Sequence, residues 1–360
     1  MRDSIDLVES IYTITGNERR WLGQLAETFR PRLDRGHGVL AYTYDANPSD
    51  QVTIRATALC DMDPALFEAR SQVELPESER RFLLPVLRIG FVETLRHAPA
   101  ALRRSGLPEK RVREYELRLE EGLRVWNLVD EFWVNAQDPT YFGCCFIAPS
   151  TTRTRWQPRE AGQWRRIAAH VSAAFRIRRH FASAVGAAPE SSLPEAILRP
   201  NGRLEHAAPP AQGAGARAAL RRAVLALDRA RGPLRHRNPE QALSLWRALV
   251  AGRWSLLDDF DSDGRRFVVA HRNDANVPDL RGLTSRERQI AAYAALGHSN
   301  KVIAYQLGLS VSTVGEHLVC AREKLRVLDR EARRERQRFE VHALGAEHLH
   351  PTSGQKRIGR

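Results

Sequence analysis

Lysine is nearly missing from this 360-residue chain. Lys110, Lys301, Lys324 and Lys356 are the only lysines among 56 basic residues, so the positive charge is arginine. Cysteine is scarce as well. Cys60, Cys144, Cys145 and Cys320 are too few for a disulfide framework, and none has the CxxC spacing of a structural zinc site. No apolar run approaches the roughly 18 residues that a membrane span requires. The opening MRDSIDLVES has no cationic start followed by an apolar core, so no signal peptide is expected. Catalytic patterns are missing too: there is no GxSxG, HExxH, Walker or histidine-kinase pattern. Nor are there the paired carboxylates and late lysine of a phosphorelay receiver. The expectation is a cytoplasmic protein with reduced thiols that is not an enzyme, takes no cofactor or metal, and stays off membranes. A composition of 42% hydrophobic and 28% charged residues fits an ordinary globular chain.

What is present in excess is positive charge, a formal +13. Residues 281–360 carry +7 of it and residues 1–280 the other +6, so over half lies in the last 80 residues. That asymmetry suggests a polyanionic partner for the C-terminal part.

Residues 36–46 and 51–59 read as two strands joined at Asn47-Pro48-Ser49-Asp50. Residues 80–98 and 113–123 read as helices. Residues 128–136 and 141–149 form a second strand pair, the latter apolar enough to be central. Trp164, Ile167, Ala168, Val171, Ala174, Phe175 and Arg178 recur at three and four, an amphipathic helix over 158–181. Around the second hairpin gather Trp126, Phe132, Trp133, Tyr141, Phe142 and Phe146, as an ordinary aromatic core or the lining of a sensory pocket. The vicinal Cys144-Cys145 sends one side chain to each face of its strand. This order predicts an antiparallel sheet with packed helices and resembles, in pattern, the GAF and PAS families of sensory domains. Beyond the linker at 183–194, residues 195–206 read as strands, 216–231 and 239–252 as helices, and 253–272 as a hairpin. That set is expected to be a PAS-like subdomain.

The densest signal is LTSRERQIAAYAALGHSNKVIAYQLGLSVSTVGEHLVCAREKLRVLDR at 283–330. Thr284 with Glu287 is a capping box that opens a helix, which Gly297 stops in the left-handed conformation. Ser299 caps a second helix, stopped by Gly308. A third begins at Ser310 or Ser312 and runs to about Leu325. Its Val314, Leu318, Ala321 and Leu325 make one apolar stripe against the first two helices. Two short helices joined by a tight turn, the second presenting a face outward, form a helix-turn-helix.

This segment resembles the DNA-binding domain of LuxR-type (GerE-type) transcription regulators, on LTSRER (283–288), GHSNKVIAYQLGLS (297–310), STV with His317, and KLRV (324–327). The resemblance implies structural roles for Glu287, Gly297, Ile303, Ala304, Leu307, Val314 and Leu325, and phosphate contacts from Lys301 and Thr313. The DNA-facing set expected from it is Ser299, Lys301, Ser312, Thr313, Gly315, Glu316, Val319 and Arg322. Gly315 departs from the pattern, since the family usually has Lys there, and Val319 replaces a residue that is often basic or polar. The implied function is a transcription regulator in which an N-terminal sensory region controls a helix-turn-helix that enters the major groove of double-stranded DNA. RNA polymerase, a second copy of the chain (a homodimer) and an unidentified small-molecule or protein signal are the further partners expected. The competing reading is a protein-interaction module whose degenerate helix-turn-helix no longer reads operator DNA. The division expected is a GAF-like domain at 1–182, linker and PAS-like subdomain at 183–275, an all-α LuxR-type domain at 276–345 and a basic tail at 346–360. An arginine-rich helix is expected at 329–344.

Overall fold

Two antiparallel sheets and a helical C-terminal unit follow one another along the chain. The computed structural model describes residues 3–13, 16–46, 52–63, 65–66, 86–87, 90–104, 107–153, 157–184, 193–275 and 283–325. In chain order the first part holds α1 (Ser4–Ile11), α2 (Glu18–Leu33), β1 (Val39–Asp45), β2 (Thr53–Cys60), β3 (Val92–Thr94), α3 (Ala98–Arg104), α4 (Glu109–Val125), β4 (Asp130–Gln137), β5 (Phe142–Ser150) and α5 (Pro158–Ala184). The second holds β6 (Ala196–Leu198), β7 (Leu204–Ala207), α6 (Pro209–Gln212), α7 (Ala214–Arg231), α8 (Leu234–Arg237), α9 (Pro239–Leu245), β8 (Trp254–Phe260) and β9 (Arg266–Arg272). The third holds α10 (Ser285–Ala295), α11 (Asn300–Leu307) and a helix over 311–325, α12. The expected helix at 329–344 and the tail lie outside the described residues.

The first sheet runs β2-β1-β5-β4-β3, all antiparallel, with β5 central as its composition suggested. Alternate residues of its inner strands face opposite helical layers. Cys144, Phe146, Phe132 and Val134 pack against α2 and α5, whereas Cys145, Ile147 and Trp133 pack against α4. The six aromatics around the second hairpin therefore form no single pocket. Phe132, Phe142 and Phe146 belong to one layer, and Trp126, Trp133 and Tyr141 to the other. The second sheet runs β7-β6-β9-β8. Helices α7 and α9 cover its inner face through Leu220, Val224, Leu227 and Leu243, and α1 adds Ile5 and Val8.

Three local expectations differ from the structure. The helix expected at 80–98 is helical at the described residues 86–87, but nearer its C-terminal end the chain forms a strand at Val92–Thr94 and a single 3-10 turn at Leu95–His97. Val92 and Thr94 are buried as an edge strand on Phe132–Val134, a use that suits β-branched side chains. The helix then starts at Ala98, with Pro99 in the first turn where a missing N–H costs nothing. The helix expected at 239–252 ends at Leu245, because Trp246 turns extended to stack its buried indole on Tyr12 at 5.9 Å. Helices α1 and α2 were not expected. Asp3 and Asp6 form a capping box on α1, and Asn17 caps α2.

Helix α5, about 40 Å long at 1.5 Å per residue, touches all three parts. Trp164, Ile167 and Val171 pack on the first sheet, Ile177 meets Leu257 and Val269, and Ala169 and Ala173 meet Ala248 and Tyr305. On it, Arg176 is 2% exposed and joins the three parts at one point. Its Nε donates to Asn273 O and Oδ1 at 3.0 Å, and its Nη1 lies 3.4 Å from Asp138 Oδ2 and 3.5 Å from Tyr293 Oη. Asp138 closes the turn after β4, Asn273 follows β9, and Tyr293 is on α10. A buried charge is tolerated only with such compensation.

Candidate nucleic-acid interface

Each helix of the C-terminal unit is set by the local chemistry at its ends. Glu287 N donates to Thr284 Oγ1 at 3.2 Å, and Thr284 N donates to Glu287 Oε2 at 2.7 Å, which completes the capping box of α10. Gly297 at φ +81° follows it. Ser299 Oγ accepts from Val302 N at the start of α11, and Gly308 at φ +65° ends that helix. Ser310 Oγ accepts from Thr313 N at 3.0 Å and lies 2.7 Å from Thr313 Oγ1, a hydroxyl cluster that opens α12.

Glu287 does more than cap. Lys324 Nζ, on the last described turn of α12, donates to both of its carboxylate oxygens at 2.8 and 2.9 Å. That ammonium and the Thr284 amide hold the Glu287 carboxyl down at about 2. The pair fastens the C-terminal half of α12 to the start of α10. Val314, Leu318 and Ala321 supply the buried stripe, while Leu325 is 37% exposed and contributes little.

The outward face of α12 presents Ser312, Glu316, Val319 and Arg322, all exposed, with Gly315 and Thr313 half-buried between them. Val319 is 55% exposed, an apolar side chain on the outward face of α12. No heavy atom lies within 4 Å of the place a Gly315 Cβ would take, so the glycine answers no packing demand. Lys301 and Ser299, at the start of α11, are exposed some way along the surface.

Helices α10 and α11, by contrast, are locked to the rest of the protein. Every residue from Ile303 to Leu307 is buried, because α11 packs on α12 with one side and on α5 and α9 with the other. Leu249, from the segment between α9 and β8, is part of the helix-turn-helix core. Tyr305 Oη lies 2.6 Å from Trp246 O, 2.9 Å from Leu243 O and 2.7 Å from His170 Nε2. His170 Nδ1 in turn meets Tyr12 Oη at 2.9 Å. These partners assign the proton of His170 to Nε2, with Tyr12 donating to Nδ1 and Tyr305 donating to a carbonyl. Burial holds His170 neutral, its pKa lowered to about 3.

Further bonds join the same surfaces. Gln306 Nε2 donates to Ala169 O at 3.3 Å, Gln289 Nε2 to Gly252 O at 2.9 Å, and Gly90 N to Leu296 O at 2.8 Å. Two glycines permit the approach. A Cβ on Gly308 would fall 2.3 Å from Leu249 O, and one on Gly90 would fall 2.1 Å from His298 Cε1. Sequence reasoning found Gly308 as a helix stop but missed this second role, and it missed Tyr305 and Gln306 altogether. The available signal was that IAYQL keeps no solvent face for a short helix.

Residues 281–332 match the family model described as bacterial regulatory proteins, luxR family (GerE). This segment is a luxR-family domain. The match covers the helix-turn-helix and leaves the two sheets outside it, and no curated protein matches the chain. The luxR-family domain carries the DNA-binding helix-turn-helix of a transcription regulator, joined to an α+β N-terminal region. Among the described residues no His, Cys, Asp or Glu cluster is arranged to hold a metal, and no helix is long and apolar enough to cross a membrane.

Proposed function

We propose that the chain is a cytoplasmic transcription regulator in which the N-terminal region senses a signal and sets how the luxR-family domain meets DNA. One observation carries this reading: α10 and α11 are bonded to the N-terminal parts while α12 is left facing outward. A change in the body is thereby passed to the helix that would enter the groove. The sheet between two helical layers supports a GAF/PAS-like sensor at 1–182, with the second sheet in 183–275, the reader in 276–345 and a basic tail at 346–360.

In this reading Ser299, Lys301 and Thr313 face phosphates and fix the register. Ser312, Gly315, Glu316, Val319 and Arg322 face base edges. Glu316 would accept from a cytosine amine, and Val319 would meet a thymine methyl. A second copy of the chain would read the other half of a two-fold operator, and RNA polymerase would be the next partner. No catalysis forms part of this function.

The test is selection of duplexes from a random pool by the full chain, across a salt series. A common sequence should emerge, and Lys301→Ala should weaken binding to every sequence alike. Gly90→Val, which forces His298 aside without touching α12, should change the affinity for the selected site. An unchanged affinity would sink control through docking. The exposed Val319 beside Glu316 favours one other reading, a protein-binding surface. Failure to enrich any duplex would support it.

A further inference from the structure

We infer that the cleft between the first sheet and the luxR-family domain is a binding site for a small organic anion bearing a phosphate or carboxylate group. Its role as the signal rests on the control proposed above; its occupation does not.

The cleft opens where β3 stops. Phe91 O still accepts from Asn135 N on β4 at 2.7 Å, and one residue earlier Gly90 N donates to Leu296 O of the C-terminal unit instead. The space so formed, about 520 Å³, is bounded by the end of β4, one face of α5 and the start of α11. Organic ligands occupy cavities of roughly 300–1,000 Å³.

Its charge is one-sided. Arg104, Arg165, Arg166, Arg247 and Lys301 line it from four separate segments, against a single carboxylate, Glu93. Glu93 lies 3.8 Å from Arg165. Among the described residues, no carboxylate lies within 4.0 Å of Arg104, Arg166, Arg247 or Lys301. Burial lowers the Arg247 pKa, and the neighbouring Arg166 guanidinium lowers it further. Five cations gathered from both units against one carboxylate make the cleft electropositive and favour an anion between them.

The floor gives the independent observation. Gln137 is 2% exposed and Ser172 3% exposed, and both line the cleft. Neither end of the Gln137 amide has a hydrogen-bond partner, nor does Ser172 Oγ, nor the buried Arg166 Nη1. Buried side-chain polar atoms are seldom left so. A duplex phosphate reaching the mouth could not satisfy groups at that depth. A small molecule with hydroxyl or carbonyl groups behind its anionic end could. The bound anion would hold Lys301 toward the cleft and compete with its phosphate contact, lowering affinity for DNA.

Calorimetry on the full chain tests this with inorganic phosphate, glucose 6-phosphate, citrate and glucose, at ionic strength fixed with chloride. Inorganic phosphate should bind in the low-millimolar range or tighter, glucose 6-phosphate about tenfold tighter, and glucose not at all. Citrate in place of phosphate separates carboxylate from phosphate recognition. Arg166→Gln with Arg247→Gln should weaken both phosphates at least about tenfold, while phosphate-free thermal unfolding stays as high or rises, since a repulsion has gone. Gln137→Leu should erase the preference for glucose 6-phosphate yet leave inorganic phosphate bound. No heat beyond the chloride control, or binding indifferent to the arginine pair, overturns the site. If phosphate fails to bind and the arginine pair instead flattens the salt dependence of DNA binding, the cluster is an extension of the DNA surface and the proposal falls. Phosphate bound as expected with DNA affinity unmoved upholds the site and rejects its part in control.

Discussion

His170 makes the docked arrangement sensitive to acid. Its ring is fully buried among Tyr12, Trp246 and Tyr305, with its pKa brought from an ordinary 6.5 to about 3. The folded protein therefore resists a proton that the unfolded chain accepts. The sign follows directly: the neutral ring's contribution is complete above pH 6.5 and is lost as pH falls toward 3. Each pH unit below the unfolded value costs about 1.4 kcal/mol, so the loss at pH 5 is about 2 kcal/mol. Urea unfolding followed by tryptophan fluorescence at pH 7.5, 6 and 5 measures it, with His170→Gln as the non-titrating partner. The variant should be less stable at pH 7.5, having lost hydrogen bonds, and the gap should shrink by about 2 kcal/mol at pH 5. His180 and His271, also lowered chiefly by burial, titrate in both proteins and cancel from the difference. Stability curves that stay parallel across this range would refute the assignment of His170 as a buried neutral link.

Two further substitutions address other parts of the argument. Gly315→Lys meets open space and removes an internal helix glycine, so α12 should gain about 1 kcal/mol. If that face enters the groove, a lysine side chain there reaches the flanking phosphates, and the logarithmic salt slope of DNA binding should steepen by up to about 0.9. Anisotropy across a salt series reads the change, and an unaltered slope counts against the assigned face. Asp138→Asn leaves the Arg176 guanidinium buried without its carboxylate and should cost about 3–5 kcal/mol in thermal or urea unfolding. A loss below about 1 kcal/mol would mean that Asn273 and Tyr293 alone suffice.

What could be read from the sequence is what local chemistry specifies. The Thr284–Glu287 box, the Ser299 cap and the stops at Gly297 and Gly308 involve residues a few positions apart, and the structure has all of them. The hairpin expected at 253–272 was legible for the same reason: Gly264 at φ +73° turns β8 into β9 there. Helix α2 carries its own apolar stripe, Trp21, Leu22, Leu25, Phe29 and Leu33, a local signal as legible as those caps. The docking was not legible in that way. Tyr305, Gln306 and Gln289 bond to the carbonyls of Trp246, Ala169 and Gly252, and a carbonyl acceptor leaves no mark on residue type. The cleft has the same character, since its cations come from positions 104, 165, 166, 247 and 301 and converge only in the fold.

The way the luxR-family domain is held limits how a signal can act on it. Leu249 belongs to the core of the helix-turn-helix, so full release would expose it at a cost of about 1.5–3 kcal/mol. Release would also strip Tyr305 of its carbonyl partners and Gln306 of its own. A ligand shifts an equilibrium only by the difference between its affinities for the two states. An anion bridging Arg166 or Arg247 on one side and Lys301 on the other has contacts in the docked state that vanish on release. It would therefore deepen docking and act by drawing the start of α11 inward, leaving the outward face of α12 in place. If the proposed DNA contacts hold, such an anion would change the phosphate register set by Lys301 and leave Glu316 and Val319 facing outward in either state.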